Sequence, residues 1–313
     1  MPPLRMTNQV QSGAGPKLGA ALATAVDEAR RRAYRWIRLN RGIAARLRRL
    51  QQRVAQLPSG GVGVRLAEID PELERQVAAE REPGRQLELG EFDHDGGILL
   101  RCGPRAAFPS VTADEFLART GYRLSLIDVD GYLAVRKEFG PKLGQFLLEI
   151  EALLDLGQRG CPVPKLIGVD WSRRAVLLEY LPGSVLRESL SVAGVRFRKR
   201  DRNAANDLSP YRSKLQAARA LLPTLVSDAQ IARIGSGLER IHAAGYVLED
   251  VKYGNIIIHQ ITGEPMFIDF ERALPLPVRS PRLSNYLRQI DLAKFFEHFG
   301  REAYVHDLGR SRG

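Results

Sequence analysis

The stretch Gly245–Ile258 reads "GYVLEDVKYGNIII". Two carboxylates, a lysine and an asparagine stand together between a helical pattern and an apolar run. Upstream, "SDAQIARIGSGLERIHAAG" (227–245) places Ile231, Ile234, Leu238 and Ile241 at three- and four-residue spacing, the stripe of an amphipathic helix. Ser227 and Gln230 form a capping-box pair at its start, and Gly245 supplies a stop. Downstream, "NIIIHQ" and "PMFIDF" predict a short hairpin. A loop held between such rigid elements can present Asp250 to a cleft.

The chemistry of this loop follows from its residue types. Asp250, Lys252 and Asn255 lie within six residues, and Asp269 follows the next strand in "FIDFER", 19 residues after Asp250. One carboxylate can take the proton of an attacking hydroxyl. A second carboxylate and an amide oxygen suit magnesium, a hard ion that prefers oxygen ligands. An ammonium offsets the charge of a transferring phosphate. His242 reads as a helix-end structural residue, and His259, His298 and His306 show no ligand spacing.

Working outward, "YRLSLIDVDGYLAVRKEF" (122–139) alternates, turns at Asp130-Gly131 and alternates again, a β-hairpin signal. Lys137 ends its second strand. "PKLGQFLLEIEALLDLGQRG" (141–160) reads as a helix with Phe146, Ile150, Leu153 and Leu156 on one side. Glu149 lies on it at a position able to face the sheet, and Glu151 is a rival for the same role. "CPVPKLIGVD" and "AVLLEYL" predict two more strands, and "SNYLRQIDLAKFFEHFG" a last helix.

These pieces resemble the protein-kinase-like superfamily, in order, over roughly 108–300. "VRK" is similar to the strand lysine and "LLEIEALLDL" to the helix with its partner glutamate. "LLEYLPG" (177–183) looks like the hinge, "IHAAGYVLEDVKYGN" like the catalytic loop, and "IDFE" stands where the metal-binding Asp-Phe-Gly usually stands. Only 8 lysines occur in the chain, and two of them fall at the positions this pattern requires. The departures narrow the resemblance. No G-x-G-x-x-G precedes Lys137, the nearest glycines being Gly121 and Gly131. Leu248-Glu249 replaces His-Arg, Asp-Phe-Glu replaces Asp-Phe-Gly, and no A-P-E follows. "IDFERA" with "LRQIDLAKFF" is most similar to bacterial lipopolysaccharide (Kdo/heptose) kinases and RIO-type relatives. Antibiotic and choline phosphotransferases usually lack a lysine two residues after the aspartate, so Lys252 counts against them.

The resemblance implies an α+β fold of two lobes behind an N-terminal helical extension. It divides the chain into a flexible tail (1–16), a basic helical extension and acidic linker (17–107), an N-lobe (108–181) and a compact C-lobe (182–313). It implies ATP and Mg2+ as cofactors, with Asp250 as base, Lys252 at the transferring phosphate, and Asn255 and Asp269 as metal ligands. Lys137, held by Glu149, would take the nucleotide phosphates, and the backbone near Glu179 and Leu181 the adenine. The expected reaction moves the γ-phosphoryl group to a hydroxyl, on a lipopolysaccharide or other envelope glycan sugar. The alternatives are a RIO-like serine/threonine protein kinase and a pseudokinase binding scaffold. Glu249 in place of arginine implies an enzyme without control by activation-loop phosphorylation.

Composition bounds the partners. The 313 residues suffice for about two domains, and 44% are apolar. Net charge is +11, with 39 arginines against 8 lysines, which favours anionic partners such as nucleotides, phospholipid headgroups, nucleic acid or acidic glycans without choosing among them. The resemblance makes nucleic acid an unexpected partner. Cys102 and Cys161 show no metal-ligand spacing, which fits a reducing compartment. No run reaches the ~18 apolar residues of a spanning helix, and "MPPLRMTNQVQSGAGPK" lacks a signal-peptide core. The expectation is a cytoplasmic protein that touches the inner face of the membrane through basic segments.

The N-terminal third poses its own question. Leu22, Val26, Ala29, Ala33, Trp36, Asn40, Ile43, Leu47, Leu50, Val54 and Leu57 alternate spacings of four and three, a heptad seam. Ten arginines lie between Arg30 and Arg53, mostly off the seam. This helix would pack on its own chain, form a coiled-coil arm or lie on an anionic membrane. Residues 68–95 hold ten acidic side chains, and Asp70-Pro71 reads as a helix start. An antiparallel pair of the two segments is therefore expected. A second basic stretch, "RFRKRDRNAANDLSPYRSK" (196–214), reads as a loop able to meet an anionic glycan or membrane surface.

Overall fold

The computed structural model describes residues 15–58, 63–69, 71–81, 86–92, 98–100, 123–197 and 209–300. The 1–14 part of the tail, Asp70, Cys102, Gly121, His306 and most of the basic stretch (198–208) lie outside them. The fold is mixed α+β: a small antiparallel sheet followed by a mainly helical C-terminal part.

The sheet contains β1 (Gln86–Phe92), β2 (Ile98–Leu100), β3 (Arg123–Val129), β4 (Tyr132–Glu138), β5 (Leu166–Asp170) and β6 (Ala175–Glu179), in the order β2-β1-β3-β4-β6-β5. The β3–β4 hairpin has the expected register, Val129 facing Tyr132 and Arg123 facing Glu138. Asp130 and Gly131 both have positive φ, 52° and 88°, as a tight primed turn requires. The sheet starts well before residue 108. β1 and β2 lie inside the segment expected to be an acidic linker, which corrects the boundary at 108. Glu88 of "QLELGEF" does strand work: it accepts from Arg123 (2.8 Å) and Arg136 (2.5 Å) across the sheet.

The heptad segment forms two helices, α1 (Gly15–Asn40) and α2 (Ile43–Val54), broken at Gly42 with φ 63°. Short α3 (Leu66–Ile69) and α4 (Pro71–Val77) follow. Among the described residues, the expected pairing of the basic helix with residues 68–95 is not found. Leu66, Leu73 and Val77 instead pack on Leu89, Leu126 and Leu133 of the sheet, and Glu74 and Asp128 share Arg81 at 2.7–2.9 Å. The basic helices lie on α5 (Leu143–Gln158), so packing within the chain is the reading that holds. The break at Gly42 turns the seam: Ile43, Leu47, Leu50 and Val54 of α2 face the main core, whereas Val26, Ala29, Ala33 and Trp36 of α1 face solvent, Trp36 being 56% exposed. Packing of α1 on α5 is close: a Cβ on Gly144 would stand 2.6 Å from the Leu39 carbonyl oxygen.

Beyond the sheet come β7 (Gly183–Val185), α6 (Leu186–Val192), α7 (Ser209–Leu225) and α8 (Asp228–Ala243). The capping box of Ser227 and Gln230 is formed as predicted. The end of the basic stretch is not a loop, because Ser209-Pro210 opens α7, which buries Leu215, Ala218 and Leu222. Then follow β8 (Tyr246–Val247), β9 (Ile256–His259), β10 (Pro265–Phe267), β11 (Leu274–Pro275) and α9 (Pro281–Phe299). β9 pairs with both β10 and β7, and β8 with β11. One core runs through both parts, joining Phe146, Leu147 and Ile150 to Leu238, Phe270 and Phe295. No helix among the described residues is long and apolar enough to cross a membrane.

Candidate functional site

β4 delivers Lys137 to the face covered by α5, and α5 turns Glu149 toward it. The Lys137 ammonium donates to Glu149 Oε2 at 2.6 Å and to Asp269 Oδ1 at 2.7 Å. Three sequence-predicted residues, up to 132 positions apart, therefore meet at one nitrogen. Burial alone would lower the Lys137 pKa, but the carboxylates of Asp269, Glu149 and Glu271 outweigh it and raise it. Burial pushes Glu149 up to about 7, against the pull of Lys137. Burial acts on Asp269 the same way, yet Lys137 and then Lys252 hold it below the usual carboxylate range. Glu151 is not the partner of Lys137. Two residues along a helix turn the side chain by about 200°, and Glu151 accepts from Arg38 (2.5 Å) and Arg49 (2.9 Å).

The 248–255 loop is fixed from below. Asp291 of α9, with 0% exposure, accepts from the backbone N–H groups of Leu248 and Glu249, both at 2.7 Å. His242 Nε2 lies 3.0 Å from the same carboxylate, which accounts for His242 as a structural residue. His298 has a packing role too: its ring stacks edge-on against Tyr253, and its carbonyl accepts from the Tyr253 hydroxyl. Glu249 takes φ 59° and Asp269 φ 68°, left-handed conformations that side chains other than glycine adopt rarely and that cluster at functional sites.

Within the loop, Lys252 pairs with the Asp250 carboxylate. Asn255 donates from Nδ2 to the Asp250 carbonyl at 2.9 Å, and its own carbonyl accepts from Ile268 N–H at 2.9 Å. That last bond sets Asp269 directly beside the Asp250–Asn255 turn. The two constellations read from the sequence, Lys137–Glu149 and Asp250–Lys252–Asn255, are thus joined at Asp269.

Glu179 and Leu181 lie apart from this cluster. Lys137 faces Val176 and Ala134 faces Glu179 across β4 and β6, so Glu179 stands three residues, about 10 Å, along the strand. Its N–H donates to the Lys165 carbonyl at 3.0 Å, and its side chain accepts from Lys165 N–H. Leu181 is buried.

Asn255 and Asp269 offer oxygen donors, and Glu271 Oε2 is buried with no hydrogen-bond partner. An all-oxygen set with an unsatisfied carboxylate oxygen suits magnesium, which keeps waters and substrate phosphates in its shell. Among the described residues, no group of three or more His, Cys, Asp or Glu forms a metal cage by itself.

Asp291 and the arginines of α1 are absent from the residues expected at the site. Arg31 donates to Glu249 Oε1 at 2.9 Å and Arg35 to Oε2 at 2.6 Å. Their i, i+4 spacing marks one helix face, but nothing local says which carboxylate that face meets. Compared with known proteins, the chain matches no family model and no curated protein sequence.

Proposed function

We propose that the chain is an ATP- and magnesium-dependent phosphotransferase of two-lobed, protein-kinase-like architecture, acting on a hydroxyl acceptor. The observation that carries this reading is the buried Lys137 ammonium bridging Glu149 and Asp269, next to a loop that pairs Asp250 with Lys252. Phosphoryl transfer needs little covalent help from a protein and much positioned charge. Asp250 takes the proton of the acceptor hydroxyl as its oxygen bonds to the γ-phosphorus and ADP leaves. Lys252 offsets the charge on the transferring group. Lys137, oriented by Glu149, holds the nucleotide phosphates, and the backbone near Glu179 and Leu181 receives the adenine. Asn255 and Asp269 would hold magnesium, which neutralises phosphate charge when bound. The acceptor is a sugar hydroxyl of a lipopolysaccharide or other anionic envelope glycan, in keeping with the net charge of +11.

The test uses labelled ATP against lipopolysaccharide and protein fractions. Label in the glycan supports the proposed acceptor, and label in protein alone transfers the assignment to a serine/threonine kinase. Asp250→Ala should lose transfer by about a hundredfold or more while Mg-ATP still raises its melting midpoint, because a ligand that binds only the native state must do so. Wild-type protein with no Mg-ATP shift and no transfer would sink the reading in favour of a binding scaffold.

A further inference from the structure

Helix α1 presents three of its arginines to the protein and its apolar seam to solvent. Arg31, Arg35 and Arg38, at i, i+4 and i+7, point inward, while Val26 and Trp36 are among the exposed apolar side chains. Hydrophobic burial would favour the opposite orientation, but Glu249 and Glu151 are buried, and a buried carboxylate left without its cationic partner costs more than the pair contributes. The rotation of α1 is therefore set by which carboxylates its guanidinium groups reach. Apart from the inward Tyr34 and Leu39, specific polar contacts hold it.

Of those carboxylates, one adjoins Asp250 and the other lies on the helix that carries Glu149. Glu249 immediately precedes Asp250 in the chain, and its side chain is 2% exposed between Arg31 and Arg35. Its backbone N–H is held by Asp291 and its φ is 59°. Glu151 lies two residues from Glu149 on α5 and binds Arg38. Further bonds tie α1 down. Arg282 of α9 donates to Asp27 at 3.1 Å, Tyr286 to Glu28 at 3.2 Å, and the Tyr34 hydroxyl to the Pro275 carbonyl at 2.6 Å.

We propose that α1 is a built-in brace of the phosphoryl-transfer site: Arg31 and Arg35 position Asp250 through Glu249, while Arg38 ties the helix that carries Glu149 to the same rigid element. This rests on the reading of Asp250 as the base. Arg31 and Arg35 are positioning residues and touch no substrate. Seven residues of helix separate Arg31 from Arg38, about 10 Å, so one strut couples the loop of Asp250 to the partner of Lys137. Glu249 then has the opposite charge from a phosphate-reading arginine because its partner is a permanent guanidinium pair within the chain.

The test compares full-length wild type with Arg31→Ala/Arg35→Ala, Arg35→Lys and, as a control outside the brace, Arg48→Ala. Turnover of Mg-ATP is read as ADP release with lipopolysaccharide and protein fractions each supplied as acceptor, and amide hydrogen exchange is read over residues 246–252. In the double variant kcat should fall on the order of ten- to a hundredfold, as small misplacements of a reacting group do, with KM for ATP unchanged. Exchange at Leu248 and Glu249 should rise at least about tenfold. Arg35→Lys should recover most of kcat, and Arg48→Ala should match wild type. Unchanged kcat in a folded double variant overturns the brace, as does faster exchange confined to α1. If wild type itself turns over no ATP, the phosphotransferase reading fails, and exchange at 246–252 alone decides whether α1 braces the loop.

Discussion

Asp291 shows how much of the site depends on a residue with no chemistry of its own. One carboxylate with 0% exposure satisfies two backbone N–H groups and faces His242. Buried donors deprived of their acceptor cost their full desolvation, about 1–3 kcal/mol each. Asp291→Ala, which orphans two of them, should therefore lose about 2–6 kcal/mol of stability, read by urea denaturation. A loss below about 1 kcal/mol would show that water replaces the carboxylate without penalty. The strain at Glu249 and Asp269, φ 59° and 68°, lies on either side of Asp250 and Asn255 in the fold, and it persists because Asp291, Arg31, Arg35 and Lys137 over-determine both places.

At the scale of elements, α1 is held mainly by ion pairs, and one of its own carboxylates makes its stability sensitive to acid. Glu28 accepts from Arg31 at 2.6 and 2.8 Å, from Arg32 at 3.0 Å and from the Tyr286 hydroxyl. The bond from Arg31 holds its carboxyl down at about 2, burial opposing. A carboxylate depressed in the folded state contributes stability above its ordinary value near 4.5, and that contribution is lost as pH falls toward 2. The melting-point difference between wild type and Glu28→Gln should thus be constant above pH 5 and shrink below pH 4.5. A difference that grows on acidification would refute the role of Glu28. The side chain is part-exposed, so the effect is modest. Helix α2 adds apolar contact to its own ion pairs with Glu151 and Asp155, with Leu50 fully buried and Ile43, Leu47 and Val54 packed beside it. The break at Gly42 separates these two modes of attachment, since its positive φ lets the seam change face within two residues.

Taken whole, the molecule does not divide where its charge and composition change. Helix α2 belongs to the same core as the sheet and the C-terminal helices, and truncation before residue 59 should remove the apolar contacts that Ile43, Leu47, Leu50 and Val54 make with that core. The loss should be at least the ~2–5 kcal/mol of one deleted core leucine, seen as a lower melting midpoint and reduced solubility. Unchanged melting would mean that α1 and α2 are appendages. Much of the fold was legible beforehand where neighbouring residues decide the outcome. The Ser227–Gln230 capping box, the Asp130-Gly131 turn and the stripe of α8 follow from short-range geometry, and the spacing of Asp250, Asn255 and Asp269 marked the candidate site. β1 was hidden because its alternation carries Glu88, whose partners Arg123 and Arg136 lie 35 and 48 residues away. The orientation of α1 was hidden for the same reason. Its periodicity records an apolar seam, and periodicity predicts that a seam turns inward. Packing settled the matter otherwise: Glu151 and Glu249, buried in the folded chain, require guanidinium partners, and a long-range ion pair leaves no local pattern in the residues that make it.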